Sequence, residues 1–129
     1  MTESPLIAVI DDDESLRNAL VGLVRSVGYE ARGFAAAEDF LRADPLQTFD
    51  CIISDIQMPG MSGIDLKRHL TTHGIDAPMI MITARSEPEL AADARGSGAL
   101  CLLHKPFEGD ALIRWVEKAL ELAPGRGRA

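Results

Sequence analysis

Four compact apolar runs, each stopped by polar residues, constrain this chain more than any other feature. LIAVI runs into Asp11-Asp12-Asp13, CIIS into Asp55, PMIMI into Thr83 and ALCLLH into Lys105. Runs this short and this continuously apolar read as strands covered on both faces, the pattern of a parallel sheet. Open parallel sheets bind their ligands beyond the carboxyl ends of the strands. The four stops are therefore expected to share one sheet edge. They would gather several carboxylates, a hydroxyl and an ammonium around one pocket.

The remainder of the chain fits such a sheet. Strands are expected over 6–10, 51–54, 79–82 and 100–103, with a weaker one over 30–34. After the first strand, Leu16, Leu20, Leu23, Val24 and Val27 mark one helical face at a 3.6-residue period, and Gly28 offers a stop. A short helix is expected over 36–42, with Phe40 and Leu41 turned inward. Turn residues Pro59-Gly60-Met61-Ser62-Gly63 precede a helix over 64–72 that Gly74 ends. Pro88 opens a weaker helix over 88–97, because Gly96 and Gly98 each cost about 1 kcal/mol against alanine inside a helix. The last helix carries Leu112, Ile113, Val116, Leu120 and Leu122, with Trp115 beside the stripe. Regular β–α alternation without internal repeats, in 129 residues, implies one three-layer α/β sandwich. That domain is expected over 1–123, followed by a frayed tail over 124–129.

Composition excludes several classes of function. A chain that is 47% apolar and 26% charged reads as globular. Its net charge of −7 argues against direct nucleic-acid binding, which calls for clustered Lys and Arg. Arg126 and Arg128 in the tail are too few to reverse that. Cys51 and Cys101 fall within expected strands and read as small buried hydrophobes in a reducing compartment. No apolar run approaches the roughly eighteen residues of a membrane span, and the N-terminus lacks a signal-peptide pattern. A cytoplasmic location without a membrane partner is expected.

The polar stops carry the chemistry. Asp11, Asp12 and Asp55 would converge at neighbouring strand ends. Two like charges about 4 Å apart repel by about 4 kcal/mol at an effective dielectric near 20, so such a cluster needs a proton or a cation. Carboxylate oxygens suit a hard divalent ion, and neither sulfur nor imidazole is expected beside them to favour zinc; Mg²⁺ is the implied metal. Asp13 is the weakest ligand of the set, because it is placed to start the first helix. Asp55 leads into Ile56-Gln57-Met58-Pro59-Gly60, a tight exit that leaves its carboxylate at the pocket. A carboxylate beside a metal and a positive side chain can accept a phosphoryl group. Thr83 offers a hydroxyl, and Lys105 a point charge, to the oxygens of the same group. Singly, each residue reads as a turn former, a cap or a solvated side chain. Their joint placement gives the reactive reading.

The segments VIDDDES (9–15), CIISDIQMPGMSG (51–63), MIMITAR (79–85) and LLHKPF (102–107) together resemble a response-regulator receiver domain. The loop and the Lys-Pro-Phe detail resemble the FixJ-like subgroup, whose fuller members carry a helix-turn-helix output domain. The resemblance covers residues 6 to about 122. It implies a flavodoxin-like, doubly wound five-stranded parallel sheet in the order 2-1-3-4-5. It also implies that Asp55 accepts a phosphoryl group from a sensor histidine kinase. Mg²⁺ would be held by Asp12, by Asp11 directly or through water, by Asp55 and by the backbone carbonyl of Gln57. Thr83 and Lys105 would hold the phosphoryl oxygens, and the Lys105-Pro106 bond would be cis. Output would pass to an unidentified protein or domain through the face of helix 4, strand 5 and helix 5, with homodimerisation on phosphorylation. One position departs from the family: Leu102 stands where an aromatic usually lies, three residues before the lysine.

Two other classes compete. A small Mg²⁺-dependent phosphatase could use Asp55 as nucleophile, but such enzymes generally place an acid/base carboxylate two residues on, where this chain has Gln57. An interaction module that is never phosphorylated draws support from Leu102 alone. The chain is expected to be no enzyme beyond assisting its own phosphorylation and dephosphorylation.

Overall fold

The computed structural model describes residues 4–43 and 49–122. Its elements alternate as β1 (Leu6–Ile10), α1 (Glu14–Ser26), β2 (Glu30–Phe34), α2 (Ala37–Leu41), β3 (Cys51–Asp55), α3 (Gly63–Thr72), β4 (Met79–Thr83), α4 (Pro88–Gly96), β5 (Cys101–His104) and α5 (Gly109–Leu122). The strands pair in parallel in the order β2-β1-β3-β4-β5. This is the flavodoxin-like, doubly wound fold. The expected tail over 124–129, with Arg126 and Arg128, lies outside the described residues.

Strand alternation divides the core into two halves. Ala8, Ile10, Ile52 and Met81 face Phe40 of α2, Leu66 and Leu70 of α3 and Ala94 of α4. Ile7, Val9, Ile53, Ile80 and Ile82 face Leu20 and Val24 of α1 and Leu112 and Val116 of α5. β1, β3 and β4 are therefore buried on both sides, which is why their sequences read as continuous apolar runs rather than alternating ones. Phe34, Phe40 and Phe49 close the corner beneath α2, their ring centroids 5.2–6.0 Å apart.

Several boundaries differ from the sequence reading. β3 and β4 each extend one residue, so Asp55 and Thr83 are the last residues of their strands and are held by the ladder. β5 starts one residue later than expected and, as an edge strand, leaves Cys101, Leu102 and Leu103 only half-buried. Cys101 is thus no core residue, whereas Cys51 is fully buried. Val27 is 45% exposed because α1 stops at Ser26 and Val27 is its cap. Leu122, the last residue of α5, is 58% exposed beyond the buried stripe that ends at Leu120. α2 is shorter than 36–42, and its cap Ala36 has no side chain to hold another turn.

Candidate functional site

The sheet order places β1 between β2 and β3, so the connections leaving β1 and returning to β3 run to opposite sides. That reversal is the crevice-forming point of a doubly wound sheet. Asp11 follows β1 there, hydrogen-bonded through its backbone N–H to the Phe34 carbonyl at 3.0 Å. Asp55 ends β3, and the following Ile56 N–H bonds the Ile82 carbonyl of β4 at 2.9 Å. Thr83 pairs with His104, and the Lys105 N–H donates to the Thr83 carbonyl at 2.8 Å. Neighbouring strands thus fix the backbone beneath the acidic and basic groups of the pocket.

Carboxylate oxygens of Asp11, Asp12 and Asp55 all lie within 4.8 Å of one another. Asp11 and Asp55 are buried and Asp12 is exposed, so the cluster opens to solvent on one side. Asp13 is turned away: its side chain caps α1 by accepting the Leu16 N–H at 3.2 Å. Its own backbone N–H donates to Asp11 Oδ1 at 2.9 Å. The weak-ligand expectation for Asp13 thus has a structural cause in its capping role.

Lys105 Nζ reaches into this group, 3.3 Å from Asp55 Oδ2 and 3.9 Å from Asp11 Oδ2. The first distance is a long charge-assisted hydrogen bond and the second is an ion pair without one. Asp11 Oδ2 is consequently a buried carboxylate oxygen with no hydrogen-bond partner among the described residues. Burial, and then the charge of Asp11, hold the Asp55 carboxyl above its usual 3.8, with Lys105 acting in the opposite sense. Burial is also the main cause that raises Asp11, against the Asp13 N–H and Lys105. One ammonium does not offset two buried carboxylates.

An orphaned buried oxygen inside an all-oxygen donor set fits a hard divalent cation. Asp11, Asp12 and Asp55 are the residues that could hold it. The Lys105-Pro106 bond that follows the lysine is cis.

Thr83 is fully buried and its hydroxyl is engaged on both sides. It donates to Gln57 Oε1 at 2.8 Å and accepts the Arg85 N–H at 3.0 Å. The Arg85 side chain pairs instead with Glu87, at 2.8 Å. Leu102 is half-buried and packs inward against the half of the core under α2, α3 and α4.

Two features escape sequence reasoning. Glu38 accepts the Met61 N–H at 3.0 Å and fastens the loop after Asp55 to α2; twenty-three residues separate the partners, and no local pattern marks the pair. Gly63 is needed for room, since a Cβ there would lie 2.5 Å from the Asp55 carbonyl oxygen. A third feature does carry a signal in the sequence. His69 and His73 stack with centroids 4.2 Å apart on α3 and its cap; the reading that the chain holds no His-x-x-x-His spacing is wrong at this pair.

A small doubly wound domain with a carboxylate cluster and a lysine at its switch point is the class these features define. The response regulator receiver domain model matches residues 7–117, and the chain belongs to that family. The transcriptional regulatory protein FixJ of Bradyrhizobium diazoefficiens is 37% identical over 123 residues, which is 95% of this chain and 60% of that protein. Among solved structures, the response regulator StyR is 39% identical with a TM-score of 0.86, covering 96% of this chain and 63% of that one. The crystal structure of FixJ-N is 29% identical with a TM-score of 0.83, covering 92% and 95%. The chain spans only 51–60% of the length of the first curated relatives it matches. Among the described residues, no helix is long and apolar enough to cross a membrane.

Proposed function

We propose that Asp55 accepts a phosphoryl group from the phosphohistidine of a sensor histidine kinase. A carboxylate oxygen of Asp55 attacks phosphorus, the O–P bond forms as the donor's N–P bond breaks, and the imidazole nitrogen leaves with the electron pair. Asp11, Asp12, Asp55 and the backbone carbonyl of Gln57 would hold Mg²⁺, which would supply charge neutralisation for the transfer. Lys105 meets one phosphoryl oxygen as a point charge, and the Thr83 hydroxyl donates to another. Positioning and charge neutralisation are nearly all that phosphoryl transfer asks of a protein.

The observation that carries this reading is the Lys105–Asp55 contact at 3.3 Å within a cluster whose Asp11 oxygen has no hydrogen-bond partner. A turnover phosphatase is disfavoured at Gln57, whose side chain engages Thr83 and offers no carboxyl group for acid/base work.

The chain acts as the receiver of a two-component system in the cytoplasm, with the receiver unit over 1–123. It passes its state through the α4–β5–α5 face to an output protein or domain, binds no DNA by itself, and homodimerises when phosphorylated. Acetyl phosphate with Mg²⁺, followed by intact mass, tests the chemistry. The reading expects one added phosphoryl group on the wild type and none on Asp55→Asn. Continuous turnover of phosphate esters, or an unmodified wild-type mass, counts against it.

A further inference from the structure

The Thr83 hydroxyl is already occupied. It donates its single proton to Gln57 Oε1 at 2.8 Å while accepting the Arg85 N–H at 3.0 Å. A hydroxyl has one proton to give and two lone pairs to receive with. Thr83 can therefore keep the Arg85 N–H when a phosphoryl group arrives, but it cannot keep Gln57 Oε1 as the acceptor of its proton. The two acceptors compete for one proton.

We propose that the Gln57 side chain is a latch on the Thr83 hydroxyl, a positioning residue that holds the unphosphorylated state and must release before Thr83 binds a phosphoryl oxygen. This rests on Asp55 being the phosphoacceptor and adds to that reading the residue that sets the threshold of the switch. The contact joins the loop after β3 to the last residue of β4, twenty-six residues away. Thr83 is fully buried with the half-buried Gln57 side chain as the acceptor of its proton. On the other side, the Arg85 N–H ties the same hydroxyl to the segment that leads into Glu87 and Pro88, the start of α4. Release of Gln57 thus lets Thr83 draw on the α4 entry. The latch lies between the acceptor strand and the helix that follows β4.

Gln57 also stands where its backbone carbonyl is assigned to the metal, so a single substitution would mix two effects. A double-mutant cycle separates them. Gln57→Met keeps the length and removes the acceptor; Thr83→Val keeps the shape and removes the donor. Beryllium fluoride with Mg²⁺ serves as the phosphoryl mimic, and ¹⁹F NMR of the bound fluorides reads occupancy in all four proteins.

A net hydrogen bond in a protein corresponds to about a two- to tenfold change in an equilibrium constant. Gln57→Met is therefore expected to bind beryllium fluoride about two- to tenfold more tightly than the wild type when Thr83 is present. In the Thr83→Val background the same substitution is expected to leave affinity within about twofold. Equal tightening in both backgrounds, or no tightening with Thr83 present, overturns the latch while leaving Asp55 as acceptor. Failure of the wild type to bind beryllium fluoride, or binding that survives Asp55→Asn, overturns the phosphoacceptor reading and the latch with it.

Discussion

Lys105 Nζ lies 3.3 Å from Asp55 Oδ2, although fifty residues of chain separate the two. The sheet makes the contact: Lys105 leaves β5 where Thr83 ends β4, and Asp55 ends β3 on the other side of β4. A positive charge is thereby delivered to a strand end where burial and Asp11 both disfavour a carboxylate.

Removing that charge should shift Asp55 further. Lys105→Met deletes the main influence that lowers the Asp55 carboxyl and leaves only the Ile56 N–H to oppose burial and Asp11. The expected result is an Asp55 titration, followed by carboxyl ¹³C NMR, that moves to higher pH than in the wild type. An unchanged or lower midpoint would show that the ammonium does not act on Asp55 in solution.

The same cluster should cost the fold stability near neutral pH. Both Asp11 and Asp55 titrate above the ordinary 3.8, so the folded chain binds their protons more tightly than the unfolded chain does. The penalty is fully present above the folded midpoints and fades as pH falls toward 3.8. Asp55→Asn is expected to raise urea stability at neutral pH by about 0.5–2 kcal/mol, the range that single stabilising substitutions commonly give. The gap between variant and wild type should shrink as pH drops toward 4, roughly the unfolded carboxyl value. A gap that widens on acidification would reverse the sign of this effect.

The strand ends at Asp55 and Thr83 were legible in the sequence because β3 and β4, buried on both sides, read as apolar runs that polar residues stop. The half-burial of β5 was not legible in its own residues, because LLH looks as apolar in isolation as IIS does; its edge position came only with the strand order that the resemblance implies. Val27 and Leu122 kept the helical period after the helices had stopped packing, so periodicity overshot burial. Contacts of Gln57 with Thr83 and of Glu38 with Met61 depend on loop paths and side-chain rotamers, and residue spacing carries no record of either.

Magnesium should stabilise the folded chain through its exposed ligand as well as its buried ones. At ten times its dissociation constant, an ion binding only the folded state adds about 1.4 kcal/mol. Asp12 is exposed, so Asp12→Ala is expected to fold normally and to lose most of that gain in thermal melts with and without Mg²⁺. A full Mg²⁺ response in Asp12→Ala would remove Asp12 from the ligand set.

Two glycines should respond in opposite ways. A Cβ at Gly63 would meet the Asp55 carbonyl oxygen at 2.5 Å, backbone that cannot move aside without disturbing the acceptor. Gly63→Ala is expected to destabilise by about 1–3 kcal/mol, as overpacking does. Gly22 is exposed within α1, and a Cβ added there would have nothing within 4 Å. Gly22→Ala is expected to stabilise by about 0.5–1 kcal/mol from helix propensity. Urea melts of both variants check the pair.

The proposed function stands or falls on one carboxylate, Asp55, carrying the phosphoryl group. Borohydride reduction of the acetyl-phosphate-treated chain, followed by peptide mass spectrometry, reads the position directly, because an acyl phosphate is reduced to the alcohol. The expected result is homoserine at position 55 and aspartate unchanged at 11, 12 and 13. Reduction at any of those other carboxylates, or none at 55 in a chain that has gained a phosphoryl group, would contradict it.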